Sequence, residues 1–323
     1  MADKCLMVGG QAVIEGVMMR GNGQVATAVR TPEGKIEVEL KPVDSVADRY
    51  PFLRKPLLRG VISLYESLAL GLKSLSYSAQ MAGEEDEQLS DRELWGTMAV
   101  AFLLATVLFV FIPTAAMRFF HALTDSPFYL NIMEGFLRLG IFLVYILSIS
   151  RMKDIYRVFQ YHGAEHKTIH AYENGGPLTV ENVQRFSTLH PRCGTAFLLI
   201  VMVVSIFVFA FLGWPDLLTR ILSRIVLLPL VAGISYEIIR FAGRSKNSLV
   251  HIAILPGLWL QRITTNQPAD DMVEVAIASL AAVLPEEERR RMGLPEAAGG
   301  PEELTAAEAA AVAACVAAGE TRN

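Results

Sequence analysis

The chain has very little cysteine. Its three, Cys5, Cys193 and Cys315, stand far apart in 323 residues. That spacing argues against the disulfide framework of a small secreted domain, and a reducing compartment is the simpler reading. Neither charge is in excess: 29 Lys and Arg against 33 Asp and Glu leave a net charge of −4. No basic block is dense enough for nucleic acid. The opening residues MADKCLMVGG lack the long apolar run of a secretory leader, so membrane insertion rests on internal segments. The glycines of GGQAVIEGVMMRG fit neither the dinucleotide fingerprint nor a P-loop, which removes phosphate chemistry from that stretch. Glu15 and Arg20 within it read as surface or salt-bridge positions. The sequence has no internal repeat.

Apolar residues, in contrast, make up 52% of the chain, and the mean hydropathy is +0.37. A membrane-spanning helix needs about 20 mostly apolar residues. Leu94 to Met117 carries no charge, with Pro113 placed to kink its far end. A second span runs from Pro127 to Ser150. Its Glu134 and Arg138 stand four apart and can pair on one face. Cys193 to Pro215 is a third. The fourth, Leu222 to Ile239, needs Arg224 and Glu237 to snorkel or pair near its ends. Basic residues gather in 151–192 (Arg151, Lys153, Arg157, Lys167, Arg185, Arg192) and after the fourth span (Arg240, Arg244, Lys246), while the links 118–127 and 215–220 carry one each. The positive-inside rule therefore places both termini and the segment 151–192 in the cytoplasm.

The expected fold is mainly α: a polytopic membrane helix bundle of about four spans, with a small N-terminal β element and a cytoplasmic His-rich helical hairpin. Residues 1–50 form the β element, in which QVATAVR and KIEVELK flank the turn TPEG. Residues 51–93 hold an interfacial amphipathic helix over 56–79, with Arg59, Glu66 and Lys73 on one stripe, and then an acidic linker. Two spans occupy 94–150, the hairpin 151–193, and two more spans 194–242. In 243–296, SLVHIAILPGLWLQ is too short to span and is interrupted by Pro256-Gly257, so it reads as a re-entrant or interfacial turn before an amphipathic helix near 271–284. Residues 297–323 are an Ala-rich tail.

Histidine is as scarce as these other residues, with six in all, yet four of them lie between 162 and 190. The stretch RMKDIYRVFQYHGAEHKTIHAYE has no proline, reads as a helix continuing the second span, and stops at NGG. His162, His166 and His170 are four apart, so they share one helix face. Glu165 and Glu173 lie beside them. His-x-x-Glu-His is the order of inverted zinc peptidases, in which two histidines hold zinc and the glutamate activates water. A short helix capped by Thr179 would fold back across ENGGPLT and deliver His190 and Cys193, three apart, to the same ion. Glu165 is thus the candidate base. His162, His166, His170, Glu173, His190 and Cys193 are the candidate metal ligands, and a cysteine ligand among histidines favours zinc over manganese or iron.

GGQAVIEGVMMRG, QYHGAEHKTIHAYE, HPRCGT and LPGLWLQRITT together resemble the YqhQ family of bacterial inner-membrane proteins across roughly residues 7–285. The resemblance implies a multi-pass inner-membrane protein described as a metal-dependent enzyme, and it brings no assigned substrate or catalytic residue.

Two functions from different classes fit. One is a membrane-embedded metal-dependent hydrolase, with a lipid-like or membrane-protein substrate suggested by its place at the bilayer. The other is a non-enzymatic scaffold or biogenesis factor docking on a membrane-protein partner, with a structural metal or none. An open coordination position beside a carboxylate favours the first; a closed four-ligand centre favours the second. A transporter fits less well, because the spans hold few ionisable residues beyond Glu134, Arg138, Arg224 and Glu237.

Overall fold

The computed structural model describes residues 6–83, 91–121, 123–242 and 248–294. The Ala-rich tail and most of the acidic linker lie outside them, as do Cys5 and Cys315. Helices dominate, joined to one small N-terminal antiparallel sheet.

Four strands, β1 (Gly9–Val13), β2 (Gly16–Gly21), β3 (Gln24–Arg30) and β4 (Ile36–Pro42), pair in chain order. The hairpin expected from QVATAVR and KIEVELK is β3–β4. GGQAVIEGVMMRG, whose glycines suggest turns or close backbone approach, supplies β1 and β2. Asn22-Gly23 joins β2 to β3 with positive φ at both residues (51° and 69°), the two-residue turn whose twist matches a hairpin. Both faces of the sheet carry buried residues, and QVATAVR and KIEVELK are the alternating stretches among its strands. Val17, Met19, Ala26 and Ala28 face one core. Val13, Met18 and Val25 face another, toward Leu70 of the long helix α2 (Leu58–Ala82).

The first core joins the two ends of the chain. α11 (Asp270–Val283) is buried on almost every side and lies between the sheet and α6 (Lys153–Glu173). A helix apolar all round belongs inside a core. Ser279 Oγ donates to the Ala26 carbonyl at 3.0 Å, and Arg30 reaches both the Asp271 carbonyl at 2.7 Å and Glu274 at 2.9 Å.

α2 turns Glu66 and Ser74 of its polar stripe inward, while Lys73 stays exposed. Glu66 accepts from Arg20 at 3.0 Å, from Ser45 Oγ at 2.7 Å and from the Val46 N–H at 2.9 Å. Thr27 and Ser74 bond at 2.9 Å, and Arg59 pairs with Glu237. Tyr65, Leu68, Leu72 and Leu75 face outward. Polar inside and apolar outside is the reverse of a water-facing helix and suits contact with lipid.

Three helices are long and apolar enough to cross a membrane: Trp95–Phe120, Pro127–Ile149 and Leu217–Ala242. The first comprises α3 (Asp91–Thr106), a π-helical turn over Val107–Phe111 and α4 (Ile112–Phe120). The turn sits where Pro113 interrupts the regular ladder. α5 is Pro127–Ile149 and α9 is Leu217–Ala242, beginning earlier than its first apolar run suggests. A fourth apolar helix, α8 (Gly194–Ala210), has 17 residues.

Two expectations are corrected. α5 does not run on into α6: the chain breaks over 150–152, where Met152 is extended (φ −75°, ψ 135°), and α6 starts afresh at Lys153. Residues 248–264 are not a broken turn but one helix, α10, with Pro256 inside it. Gly257 there lets α10 lie directly on α8, since a Cβ at 257 would stand 2.8 Å from the Ala196 Cβ.

Within the bundle, Glu134 pairs with Arg138 at 2.9 Å, as its spacing implies. Arg224 of α9 also grips it, through Oε2 at 2.7 Å and through Oε1. Thr114 Oγ1 donates to the same carboxylate at 2.9 Å.

Candidate metal site

α6 carries His162, Glu165, His166 and His170. It ends at Asn174, with Gly175 at φ 70° closing the turn. Gly163 is required for the site. A Cβ there would stand 2.0 Å from the Asn266 carbonyl oxygen, because the chain after α10 lies directly across α6. The Asn266 N–H donates to the Phe159 carbonyl at 2.8 Å, and the neighbouring Thr264 carbonyl accepts from His162 Nδ1 at 2.8 Å. Gly→Ala inside a helix normally adds stability. Here Gly163→Ala should instead lower the thermal unfolding midpoint and weaken whatever His162 binds; unchanged stability would show that the segment after α10 moves freely off α6.

The opposite wall is the loop between α7 (Val180–Gln184), capped by Thr179, and α8. Gln261 of α10 clamps it through both amide atoms, accepting from the His190 N–H at 2.8 Å and donating to the His190 carbonyl at 2.9 Å. Cys193 then caps α8, its Sγ accepting from the Thr195 N–H at 3.4 Å.

Among the described residues one triad of metal-type donors stands out. His162, His166 and Cys193 each offer one atom, all within 4.8 Å of one another, and His162 Nε2 lies 3.2 Å from Cys193 Sγ. Zinc ligands in a tetrahedron lie roughly 3.5 Å apart, so the donors fit such an ion. Their orientation fits as well. His162 Nδ1 donates to the Thr264 carbonyl and His166 Nδ1 to the Thr188 carbonyl at 2.5 Å. That leaves both Nε2 lone pairs for the cavity, the arrangement in which backbone carbonyls fix ligating imidazoles.

The other candidates stand apart. His190 accepts from the Arg192 N–H at its Nδ1 (3.2 Å) and points its Nε2 at Glu173 (3.4 Å), so both ring nitrogens are engaged. His170 Nε2 donates to the Leu189 carbonyl at 2.9 Å, and Glu173 pairs with Arg192. These residues form an outer row: the rings of His166 and His190 are 5.7 Å apart and those of His190 and His170 are 4.6 Å apart.

Burial sets the electrostatics. It pulls His166 down to about 2 and His190 to about 4, and it lowers His170 too, so these imidazoles are neutral, the form that ligates. Burial raises Cys193, whose hydrogen bonds with Thr195 oppose the rise. Burial pushes Glu165 up to about 7; His162 draws it down and Cys193 adds to the rise. Gly10 of β1 lets Glu165 approach closely, since a Cβ at 10 would lie 2.9 Å from Oε1.

Glu165 and the triad line a cavity of about 490 Å³ together with His190, Gln11 and Arg192. Through Gln11, Ser67 and the run Arg192–Thr195 this cavity continues into a larger hollow of about 720 Å³. Leucines of α2 and Phe197, Leu198 and Val201 of α8 make that second hollow mostly apolar. Sequence reasoning missed Gln11, Ser67 and Gln261; only the paired glycines before Gln11 hinted at a close approach. Glu15 and Arg20 form ion pairs with Arg157 and Glu66.

Residues 55–286 match the family model described as protein of unknown function (DUF1385). The uncharacterized protein YqhQ of Bacillus subtilis (strain 168) is 38% identical over 292 residues, covering 85% of this chain and 92% of that protein. No solved structure matches.

Proposed function

We propose that this chain, which belongs to the YqhQ-like DUF1385 family, is a multi-pass inner-membrane protein that holds a divalent metal on His162, His166 and Cys193 and works as a hydrolase at the cytoplasmic membrane face. The observation that carries the reading is the open triad: three metal-type donors meet on the wall of a cavity that also holds a buried carboxyl group. Three protein ligands and a free position are the pattern of a catalytic zinc site, whereas structural sites close with four. Bound zinc would supply Lewis acidity and lower the pKa of water. Glu165, whose carboxyl group burial pushes up to about 7, is the residue on the cavity wall that would hold and move a proton at neutral pH. His190, Glu173 and Arg192 hold the rim.

Chain topology supports four crossings. The sheet, α6 and α11 share one core and so lie on one side of the bilayer. That arrangement favours an even number of crossings between them. α3–α4 and α5 make one pair, so α9 requires a partner, and α8 fills that role at about 25 Å, given 1.5 Å per residue. The basic residues of 151–192 support the cytoplasm as the shared side. The apolar hollow running from the triad between α2 and α8 supports a substrate with a hydrocarbon portion, a lipid-like molecule or a membrane-embedded peptide.

Elemental analysis of detergent-purified protein tests the reading. Wild type should carry a divalent metal in stoichiometric amount. His162→Ala, His166→Ala and Cys193→Ala should each lower it at least tenfold, while His170→Ala should leave it in place. Wild-type protein that takes up no metal, even from zinc-supplemented buffer, would end the proposal.

A further inference from the structure

A second polar site lies at the other end of the bundle, beside the N-termini of α5 and α9. Glu134, Arg138, Arg220 and Arg224 are all largely buried there. Three guanidinium groups face one carboxylate, and the carboxylate is fully taken by Arg138, Arg224 and Thr114. Arg220 is left over. It is nine-tenths buried, one turn into α9, and among the described residues its Nε and Nη1 find no hydrogen-bond partner. Its guanidinium lies over the Trp214 ring, 4.1 Å from the centroid, and lines a cavity of about 270 Å³ with Thr114, Arg118 and His121. Asp216, the residue before α9, is exposed and spends Oδ2 on the Thr219 N–H at 3.1 Å.

An arginine cannot shed its proton to escape burial. A buried guanidinium with idle donors, next to a cluster already in positive excess, is costly unless an anion completes it. The Arg220 side chain, the Arg118 and His121 rim and the positive N-terminal end of α9 all favour negative charge. We propose that this cavity is a phosphate-binding site, completed in the membrane by a phosphate-class anion on Arg220. Its place in the first turn of a membrane-length helix is the depth of lipid headgroups, so the phosphate of a phospholipid and free phosphate are the two sources to distinguish.

The test uses the full chain in detergent, with phosphatidylglycerol, diacylglycerol and inorganic phosphate as probes. Phosphatidylglycerol should raise the thermal unfolding midpoint by about 5 °C, the size expected at a hundredfold excess over Kd for a protein of this length. Diacylglycerol, which lacks the phosphate, should not. Arg220→Gln should abolish the shift. A shift with phosphatidylglycerol alone assigns a lipid; the same shift with inorganic phosphate assigns a soluble anion; either supports the site. A shift of equal size in Arg220→Gln, or none with either phosphate probe, overturns it. Should Arg220→Gln fail to accumulate, a chain carrying Trp95→Phe and Trp259→Phe leaves Trp214 as the reporter against Arg220. Trp214 emission unmoved by both phosphate probes would equally overturn the proposal.

Discussion

Glu165→Gln should leave the metal content of the purified protein close to wild type while lowering hydrolysis by roughly 10²–10⁴-fold, the range that a positioned general base contributes. Glutamine keeps the size and one acceptor oxygen of the side chain but cannot take a proton. The close approach to Gly10 fits an amide as readily as a carboxyl, so the fold should survive. Fatty-acid release from phospholipid in mixed micelles is one readout of the lipid-like substrate class, and elemental analysis of the same sample is the other. Burial holds Glu165 near 7, so wild-type activity should rise as the pH passes that value and the carboxylate forms. If Glu165→Gln strips the metal as thoroughly as His162→Ala does, Glu165 is a ligand and the likeness to inverted zinc peptidases fails. If it changes neither metal nor turnover, the cluster is structural and the scaffold reading takes over.

The largest stability effect should come from Glu134. Glu134→Gln leaves Arg138 and Arg224 buried against each other without a counter-charge, and removing one partner of a buried pair costs about 3–5 kcal/mol. The variant should unfold far below wild type in detergent, or fail to accumulate in the membrane. From the sequence, exchanging the charges at 134 and 138 should restore what either reversal loses. The structure predicts otherwise. Arg224 reaches position 134 from another helix, so an arginine placed there meets a second guanidinium and the exchange rescues little. A harmless Glu134→Gln would mean that water already solvates the cluster.

The readable half of the site is the half that one helix supplies. His162 and His166 are four apart on a proline-free stretch, and geometry alone puts them side by side. That Cys193, rather than His190, comes to lie beside His162 and His166 was not readable. Gln261, 71 residues beyond His190, clamps the His190 backbone through both amide atoms, a contact that no local spacing records. His170 and Glu173 have the right chemistry and the right spacing, yet a carbonyl and Arg192 claim them, and periodicity carries no record of such competitors. The fold divides in the same way. The apolar runs stood out as helices because length and composition suffice. β1 and β2 did not, since β2 is buried along nearly its whole length and β1 is short and opens on two glycines. The inward polar stripe of α2 was visible as a stripe, but its partners Arg20, Thr27 and Glu237 come from three other elements.

The core shared by the sheet and α11 dictates an order of events during synthesis. Arg30 and the Asp271 carbonyl it reaches are separated by 241 positions in the chain. At about 5–20 residues per second, the strands leave the ribosome roughly 10–50 s before the helix that covers them exists. Over that interval Val17, Met19, Ala26 and Ala28 lack the helix that covers them, and every membrane-length helix is made before it arrives. The sheet therefore matures last although it is translated first. A ribosome stalled between β4 and α11 should display strands that proteases and chaperones can still reach.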